Sequence, residues 1–285
     1  MSETVVAADC HAKANLFLRV LAREAGGMHS LETLFCRIGL ADRLEVERTG
    51  SGIELEVEGA DLGPPEQNLA WRAADAVLQA TGRQFGVRLR LVKRSPHGAG
   101  LGGGSSNAAA ALACVNQLAR SAVPRAELFH MAARLGADVP FFLSGAPLAL
   151  GWGHGTRLLE LPPLDPRPML LLVPHTRIPT ASAYQWLDQA RYEQHDRGAV
   201  SMSLELLGKW SDIARAGGND FESVIFARHR ELHEAFEALA RTGPMLCRMS
   251  GSGSALFAVY RTERDREDAI GQIGRGYGEV IATGT

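Results

Sequence analysis

The stretch from Ser95 to Ala109, Ser-Pro-His-Gly-Ala-Gly-Leu-Gly-Gly-Gly-Ser-Ser-Asn-Ala-Ala, constrains this chain more than any other. Five of the seven residues from Gly98 to Gly104 are glycine, so a backbone without Cβ atoms can turn tightly and bring several N–H groups to one ligand. Before it, Val87, Leu89 and Leu91 alternate with Arg88 and Arg90, the period of a half-buried strand. After it, Ser105, Ser106 and Asn107 stand where they can cap an alanine-rich helix that carries Ala111, Val115 and Leu118 on one face. Strand, glycine loop and helix in series aim the free N–H groups and positive dipole end of the helix into the loop. The series predicts a phosphate site. A plain turn before a packed helix would need one or two glycines.

Other glycine-loop chemistries fit less well. Gly98, Gly100 and Gly103 satisfy G-x-G-x-x-G, but a dinucleotide fold also wants a βαβ unit and an acidic residue about 20 residues on. Here Pro124 and a second helix with Glu127 follow instead. Gly104 is followed by Ser105 rather than by lysine, so the P-loop signature is absent. Asp-Phe-Gly and His-Arg-Asp, the marks of a protein kinase, do not occur. Gly251-Ser252-Gly253 lacks the spacing of a nucleophile elbow.

The 285 residues, 46% hydrophobic and 22% charged, suffice for one large or two modest cores, and two domains are expected. A formal charge of -2 without blocks of like charge gives no reason to expect nucleic acid. A small molecule is the expected partner, with the chain a monomer or weak homodimer. Cys10, Cys36, Cys114 and Cys247 lie far apart, three of them in apolar segments, which suits reduced packing thiols. No apolar run reaches membrane-spanning length, and Met1 to Asp9 lacks the regions of a signal peptide. A cytoplasmic location without membrane attachment is expected.

Along the chain, Ala12 to Val20 alternates as a strand, with Ala14, Leu16, Leu18 and Val20 on one face and Lys13, Asn15, Phe17 and Arg19 on the other. A lysine there usually reads as a solvated edge charge. A turn at Gly26 to His29 leads into Leu31 to Ile38, and His29 by itself reads as a loop histidine with a backbone partner. Arg43 to Arg48 and Gly52 to Glu58 read as a hairpin. Asn68 can cap a helix with Leu69, Ala73, Ala76 and Val77 inside. A helix opened by Pro124 stops at Gly136; Asp138 follows at once, set against Val139-Pro140-Phe141-Phe142-Leu143. From spacing alone that carboxylate either caps the next element or serves chemistry.

The glycine- and proline-rich passage from Gly151 to Pro168 marks the expected boundary, dividing the chain into residues 1–158 and 159–285. Beyond it the pattern predicts a buried strand over Met169 to Val173, helices around Ala181 to Tyr192, Ser201 to Trp210 and Phe221 to Ala240, and a loose charged section at Glu193 to Gly198. Strands at Met245 to Met249 and Ala255 to Tyr260 flank Ser250-Gly-Ser-Gly-Ser254, which reads as a hairpin loop open to close approach by phosphate. A helix from Glu263 and a strand over Tyr277 to Ala282 complete the pattern. His229 and His233, four apart, read as a surface pair because no third metal ligand is evident.

Taken together, these motifs resemble a known family. Pro96 to Ala109 resembles the phosphate-binding motif of the GHMP kinases, the superfamily of galactokinase, homoserine kinase and mevalonate kinase. Ala12-Lys-Ala-Asn-Leu-Phe-Leu18, Gly27-Met-His-Ser-Leu-Glu-Thr-Leu-Phe35, Leu135-Gly-Ala-Asp-Val-Pro-Phe-Phe142, Ile178-Pro-Thr-Ala181, Asn219-Asp-Phe-Glu222 and Met249-Ser-Gly-Ser-Gly-Ser254 follow in the order of one branch. That branch acts on a cytidine diphosphate-linked methylerythritol in non-mevalonate isoprenoid precursor synthesis. The resemblance covers nearly the whole chain.

It implies an α+β, two-domain fold, with an N-terminal domain like ribosomal protein S5 domain 2 and a ferredoxin-like C-terminal domain. The implied reaction moves the γ-phosphate of ATP, with Mg²⁺, to the 2-hydroxyl of the methylerythritol moiety. By the same resemblance Asp138 takes the hydroxyl proton and Lys13 stabilises the moving phosphoryl group. Pro96, Gly98, Ala99, Gly100, Leu101, Gly102, Gly103, Gly104, Ser105 and Ser106 would hold ATP, with Asn68 and Lys93 near the nucleotide and Ser105 or Ser106 near the metal. Asn15, Met28, His29, Thr180 and Tyr184 would hold the substrate: His29 on the base edge, and Tyr184 as a stacking ring. Met28 stands where the family commonly has tyrosine, and its thioether can cover a ring face. Another GHMP small-molecule kinase, a binding protein that has lost catalysis and a glycine-loop oxidoreductase are the alternatives.

Overall fold

A computed structural model describes residues 4–192, 203–274 and 276–285. The expected loose section at Glu193 to Gly198 lies outside these residues. The first sheet is built on two long antiparallel strands, β1 (Val5–Arg23) and β2 (His29–Thr49), joined through the turn at Gly26 and Gly27. Next come β3 (Ile53–Glu58), α1 (Leu69–Ala80), β4 (Gly86–Val92), α2 (Gly103–Leu118), α3 (Arg125–Leu135), α4 (Val139–Ser144), β5 (Leu148–Gly153) and β6 (Arg157–Leu161). The second part contains β7 (Pro168–Val173), α5 (Thr180–Tyr192), α6 (Trp210–Ala216), α7 (Asp220–Phe226), α8 (Arg230–Ala240), β8 (Leu246–Met249), β9 (Leu256–Val259), α9 (Glu263–Ile273) and β10 (Glu279–Gly284).

The strand order of the first sheet is β3-β4-β2-β5-β6, with β1 also on β2. The expected hairpin of Arg43 to Arg48 with Gly52 to Glu58 does not form. Instead, β4 lies between them, parallel to β3 and antiparallel to β2. The crossover through α1 explains this. Once the helix covers one face, β4 returns to the edge of β2 that the short turn at Gly50 leaves free, and the parallel β3–α1–β4 unit forms.

The second sheet runs β10-β7-β9-β8, the strand order of a β-α-β-β-α-β unit. The fold is therefore α+β with two sheets, as expected. Both faces of β7 and β9 are buried, which is why Met169 to Val173 carries no polar alternation: Met169, Leu171, Phe257 and Val259 face the first sheet and Leu170, Leu172, Leu256 and Ala258 face the helices. Leu16, Leu34 and Ile38 share the core of Met169 and Leu171, so the two sheets pack on each other. A third core lies between the first sheet and α1, α2 and α3.

Three further expectations change. The passage from Gly151 to Pro168 is only partly a connection, since Arg157–Leu161 pairs with β5. Among the described residues from 203 on, the expected helix ending at Trp210 is a short 3-10 turn at Leu206–Gly208, and the α-helix starts at Trp210, whose ring is buried. The expected helix Phe221 to Ala240 is broken at Ala227 to His229, where His229 becomes the residue before α8. Its ring sits against Trp186 and Glu231, while His233 stacks on Phe226.

Candidate active site

A cleft of about 640 Å³ opens between β1, the glycine loop, the start of α4, α5 and the loop after β8. Its chemistry centres on Lys13, which is 3% exposed. The solvated-edge reading of this lysine fails because the face it shares with Asn15 and Phe17 is as buried as the other. The ladder of β1 with β2 shifts register between His11 and Lys13 and again between Asn15 and Phe17, re-aiming side chains at the cleft.

A relay of hydrogen bonds fixes the lysine. Thr33 Oγ1 donates to the Phe17 carbonyl at 2.7 Å, so its oxygen accepts from Asn15 Nδ2 at 2.8 Å. That fixes the amide with Oδ1 toward Lys13, whose Nζ donates to it at 2.5 Å and to the Gly100 carbonyl at 2.8 Å. The remaining direction points to Asp138, 3.5 Å from Nζ to Oδ2. Asp138 precedes α4 yet makes no side-chain cap, and it lines the cleft. Phe141 anchors α4 by stacking on Phe35, over which Nζ also lies.

The glycine loop enters from the end of β4. The expected caps Ser105, Ser106 and Asn107 lie inside the helix instead: α2 begins at Gly103 and its N-cap is Gly102, in the left-handed region at φ 70°. Only glycine adopts that conformation without strain, and the helix starts there, with Gly102 and Ser105 lining the cleft. Ala111, Val115 and Leu118 are buried as expected. Gly100 is wedged more tightly still, since a Cβ there would stand 2.2 Å from the Ser250 carbonyl oxygen. Ser250 Oγ donates to the Gly100 carbonyl at 2.9 Å, and the Ala255 N–H donates to Ala99 O at 3.0 Å. The Ser250 to Ser254 turn is thus a hairpin loop and also a wall of the cleft, held by Asn219 Nδ2 on Met249 O and Gly251 O.

The sequence-predicted site residues divide into groups. Lys13, Asn15, Met28, His29, Gly100, Gly102, Ser105, Asp138, Thr180 and Tyr184 all line the cleft. Ala99 and Leu101 are buried in the core between the sheets. Gly98 is exposed on the loop and Gly104 in the first turn of α2, Pro96 is half-buried, and Gly103 is buried with Ser95 and Lys93 close behind it. Ser106 faces a separate cavity beside His11 and Arg37. Asn68 caps α1 by accepting from the Ala70 N–H at 2.9 Å. Lys93 is buried and donates to Asp42, to Ser95 Oγ at 3.0 Å and to Asn107 Oδ1 at 3.2 Å. It supports the loop from behind.

At the other end of the cleft, His29 has a carboxylate partner rather than a backbone one: Nε2 lies 2.7 Å from Asp188 Oδ1. Its ring stacks on Tyr184 at 4.5 Å between centroids, and Tyr184 meets Phe221 edge-on at 4.9 Å. Burial, with the Asp138 charge adding, pushes the Tyr184 phenol up to about 12. Met28 is 54% exposed at the rim. Sequence reasoning missed Thr33, Asp188, Gly251 and Ser252. Thr33 lies inside the Gly27 to Phe35 motif with no role of its own assigned there, and Asp188 carries no motif. The last pair was visible as a small-residue turn, but not its docking. The cysteines supply no nucleophile: all four are free and buried, and burial pushes Cys10 and Cys36 up to about 12.

Among the described residues no three His, Cys, Asp or Glu gather as a metal site, and no helix is long and apolar enough to cross a membrane. Residues 68–146 match the GHMP kinases N terminal domain and residues 197–279 the GHMP kinases C terminal domain. The 4-diphosphocytidyl-2-C-methyl-D-erythritol kinase of Chloroherpeton thalassium is 38% identical over 264 residues, 91% of this chain and 90% of that protein. The enzyme of the same name from Chlorobaculum tepidum is 39% identical over 89% of this chain and 88% of its own. A crystal structure of a 4-(cytidine 5'-diphospho)-2C-methyl-D-erythritol kinase superposes with a TM-score of 0.83 at 37% identity, covering 98% of both chains. With the glycine loop, the lysine and the aspartate in one cleft and both domains matched, the chain belongs to the GHMP kinases, in the family of the 4-diphosphocytidyl-2-C-methyl-D-erythritol kinases.

Proposed function

We propose that this chain transfers the γ-phosphoryl group of ATP to the 2-hydroxyl of 4-diphosphocytidyl-2-C-methyl-D-erythritol, in the non-mevalonate route to isoprenoid precursors. The observation that carries the reading is the Lys13–Asp138 pair, 3.5 Å apart at the mouth of the glycine loop in one cleft with His29 and Tyr184. Asp138 accepts the hydroxyl proton as the oxygen attacks the γ-phosphorus and the bond from that phosphorus to the β–γ bridging oxygen breaks, releasing ADP. Lys13, already oriented by Asn15 and the Gly100 carbonyl, sets its charge against the oxygens of the moving phosphoryl group, where electrostatic stabilisation counts most. The Gly98 to Ser106 loop and the first N–H groups of α2 hold the β- and γ-phosphates. Asn68 and Lys93 lie on the nucleotide side, the first at the α1 N-terminus and the second behind the loop.

Mg²⁺ would be carried by the nucleotide. The Ser105 hydroxyl on the cleft is an oxygen donor that would suit a hard cation whose remaining ligands are phosphate oxygens and water. When bound, the ion would neutralise charge on the phosphates. Ser105 suits this role better than Ser106, which faces another cavity. His29, Met28 and Tyr184 take the cytosine end, and Asn15 and Thr180 take the middle of the substrate. We read the chain as two domains, 1–158 and 159–285, with β6 crossing the line. We also read it as a cytoplasmic monomer or weak homodimer.

The test is ADP release by the purified protein with Mg·ATP and the cytidine compound, beside mevalonate and homoserine. Turnover with the cytidine compound alone supports the reading. Turnover only with another alcohol replaces the substrate, and none with any of them leaves a binding protein.

A further inference from the structure

α5 presents two residues to the cleft one helical turn apart, Tyr184 and Asp188, and both act on His29. Tyr184 covers the face of the imidazole, at 4.5 Å with 26° between planes, and Asp188 holds its edge through Nε2 at 2.7 Å. The imidazole side chain is 8% exposed, so its orientation is set by these partners rather than by water. The second oxygen of Asp188 is engaged as well, 3.7 Å from Arg23 Nε. Both oxygens therefore face donors.

A carboxylate only accepts, so the short contact requires a hydrogen on Nε2. A neutral imidazole carries one N–H. Nδ1 is then left bare, an acceptor. An acceptor pairs with the exocyclic amino group of cytosine and is repelled by the carbonyl oxygen that uracil carries at the same position. We propose that Asp188 is a positioning residue that fixes the His29 tautomer and thereby sets the preference for a cytosine over a uracil base. The inference rests on the reading of His29 as the contact to the base edge. Asparagine at 188 would undo it, because its side chain offers either a donor or an acceptor to Nε2 and no longer selects a tautomer.

The experiment measures binding of cytidine 5'-diphosphate and uridine 5'-diphosphate by calorimetry, on the full chain and on Asp188→Asn, with ATP affinity and thermal melting measured alongside. The unaltered chain is expected to favour the cytidine nucleotide. The variant should lose roughly tenfold of that preference, the scale of one hydrogen bond in a buried site, with ATP affinity unchanged. A variant that melts normally and keeps the full preference overturns the inference while leaving the base-edge reading intact. Equal binding of the two nucleotides by the unaltered chain removes that reading and the inference with it. If the variant does not fold, ¹⁵N NMR of the His29 ring in the unaltered chain decides: hydrogen on Nε2 with a bare Nδ1 supports the proposal, and the other tautomer or a doubly protonated ring overturns it.

Discussion

Lys13 and Asp138 meet at 3.5 Å across the joint between β1 and α4, the lysine 3% and the aspartate 30% exposed. The pair is asymmetric. The cation is fixed by the Asn15 and Gly100 oxygens, whereas the carboxylate caps nothing and is open to the cleft. Replacing Asp138 should therefore remove chemistry without dismantling the site. Asp138→Asn is expected to lower kcat by about 10²–10⁴-fold, the usual worth of a positioned base, while the KM for ATP changes little. Steady-state kinetics with saturating substrate checks this, and near-normal turnover would exclude Asp138 as the proton acceptor.

The Thr33 hydroxyl, 1% exposed, touches no reacting group yet determines which way the Asn15 amide faces. Thr33→Val leaves Asn15 Nδ2 buried without the hydroxyl it donates to, at a cost of about 1–3 kcal/mol in stability. It also frees the amide to turn its NH₂ toward Lys13, which misplaces the ammonium. The expected result is a lower melting temperature together with a fall in kcat larger than any change in KM. Thr33→Ser should restore both.

Tyr184 serves through its ring. With its phenol pushed up to about 12, mainly by burial and further by Asp138, it stays protonated throughout the neutral range. Tyr184→Phe should consequently leave the KM for the cytidine compound and its pH dependence unchanged. Tyr184→Ala removes the face that packs on His29 and should raise that KM about twofold to tenfold, since an aromatic pair contributes about 0.5–1.5 kcal/mol. An equal rise in the two variants would show that the hydroxyl, not the ring, makes the contact.

How much of this was legible in the sequence varies with the range of the interaction. The strand, glycine loop and helix at Ser95 to Ala109 are local, and their spacing alone pointed to phosphate. The mixture of helices and strands and most strands of the second sheet also followed from local pattern, while the α+β two-domain architecture came from the family resemblance. The β3–β4 pairing did not, because a short turn at Gly50 looks the same whether the next strand pairs at once or gives way to one arriving through α1. Lys13 looked like an edge charge because periodicity cannot show that Leu101, Gly100 and Asp138 close over it. The split of Phe221 to Ala240 at His229 and the partnership of His29 with Asp188, 159 residues away, are likewise set by tertiary contacts. Family resemblance supplied the roles of Lys13 and Asp138, which spacing had left open.

Asp42 shows how the loop itself is held. It is fully buried and accepts from Lys93, from the backbone N–H groups of Arg94 at 2.8 Å and Ser95 at 2.7 Å, and from Asn107 Nδ2 at 2.9 Å. These partners tie β2, the end of β4 and the second turn of α2 into one frame around the glycines. Burial by itself would raise this carboxyl, but the bonds from Lys93, Ser95, Arg94 and Asn107 outweigh it and hold the group below its ordinary value of 3.8. A carboxyl that titrates lower in the folded chain than in the unfolded one stabilises the fold in full above the unfolded value, and that contribution is lost as pH falls through the folded value. Asp42→Asn leaves the Lys93 ammonium buried without its counter-charge, which at neutral pH should cost about 3–5 kcal/mol. Below the ordinary carboxylate range the unaltered chain protonates Asp42 and loses the same pairing, so the gap between the two proteins should narrow as pH falls below 3.8. Denaturant titrations of both proteins across that range measure the gap. A difference that stays constant down to the lowest pH would mean that the Asp42 charge contributes nothing to holding the loop and that packing alone does so.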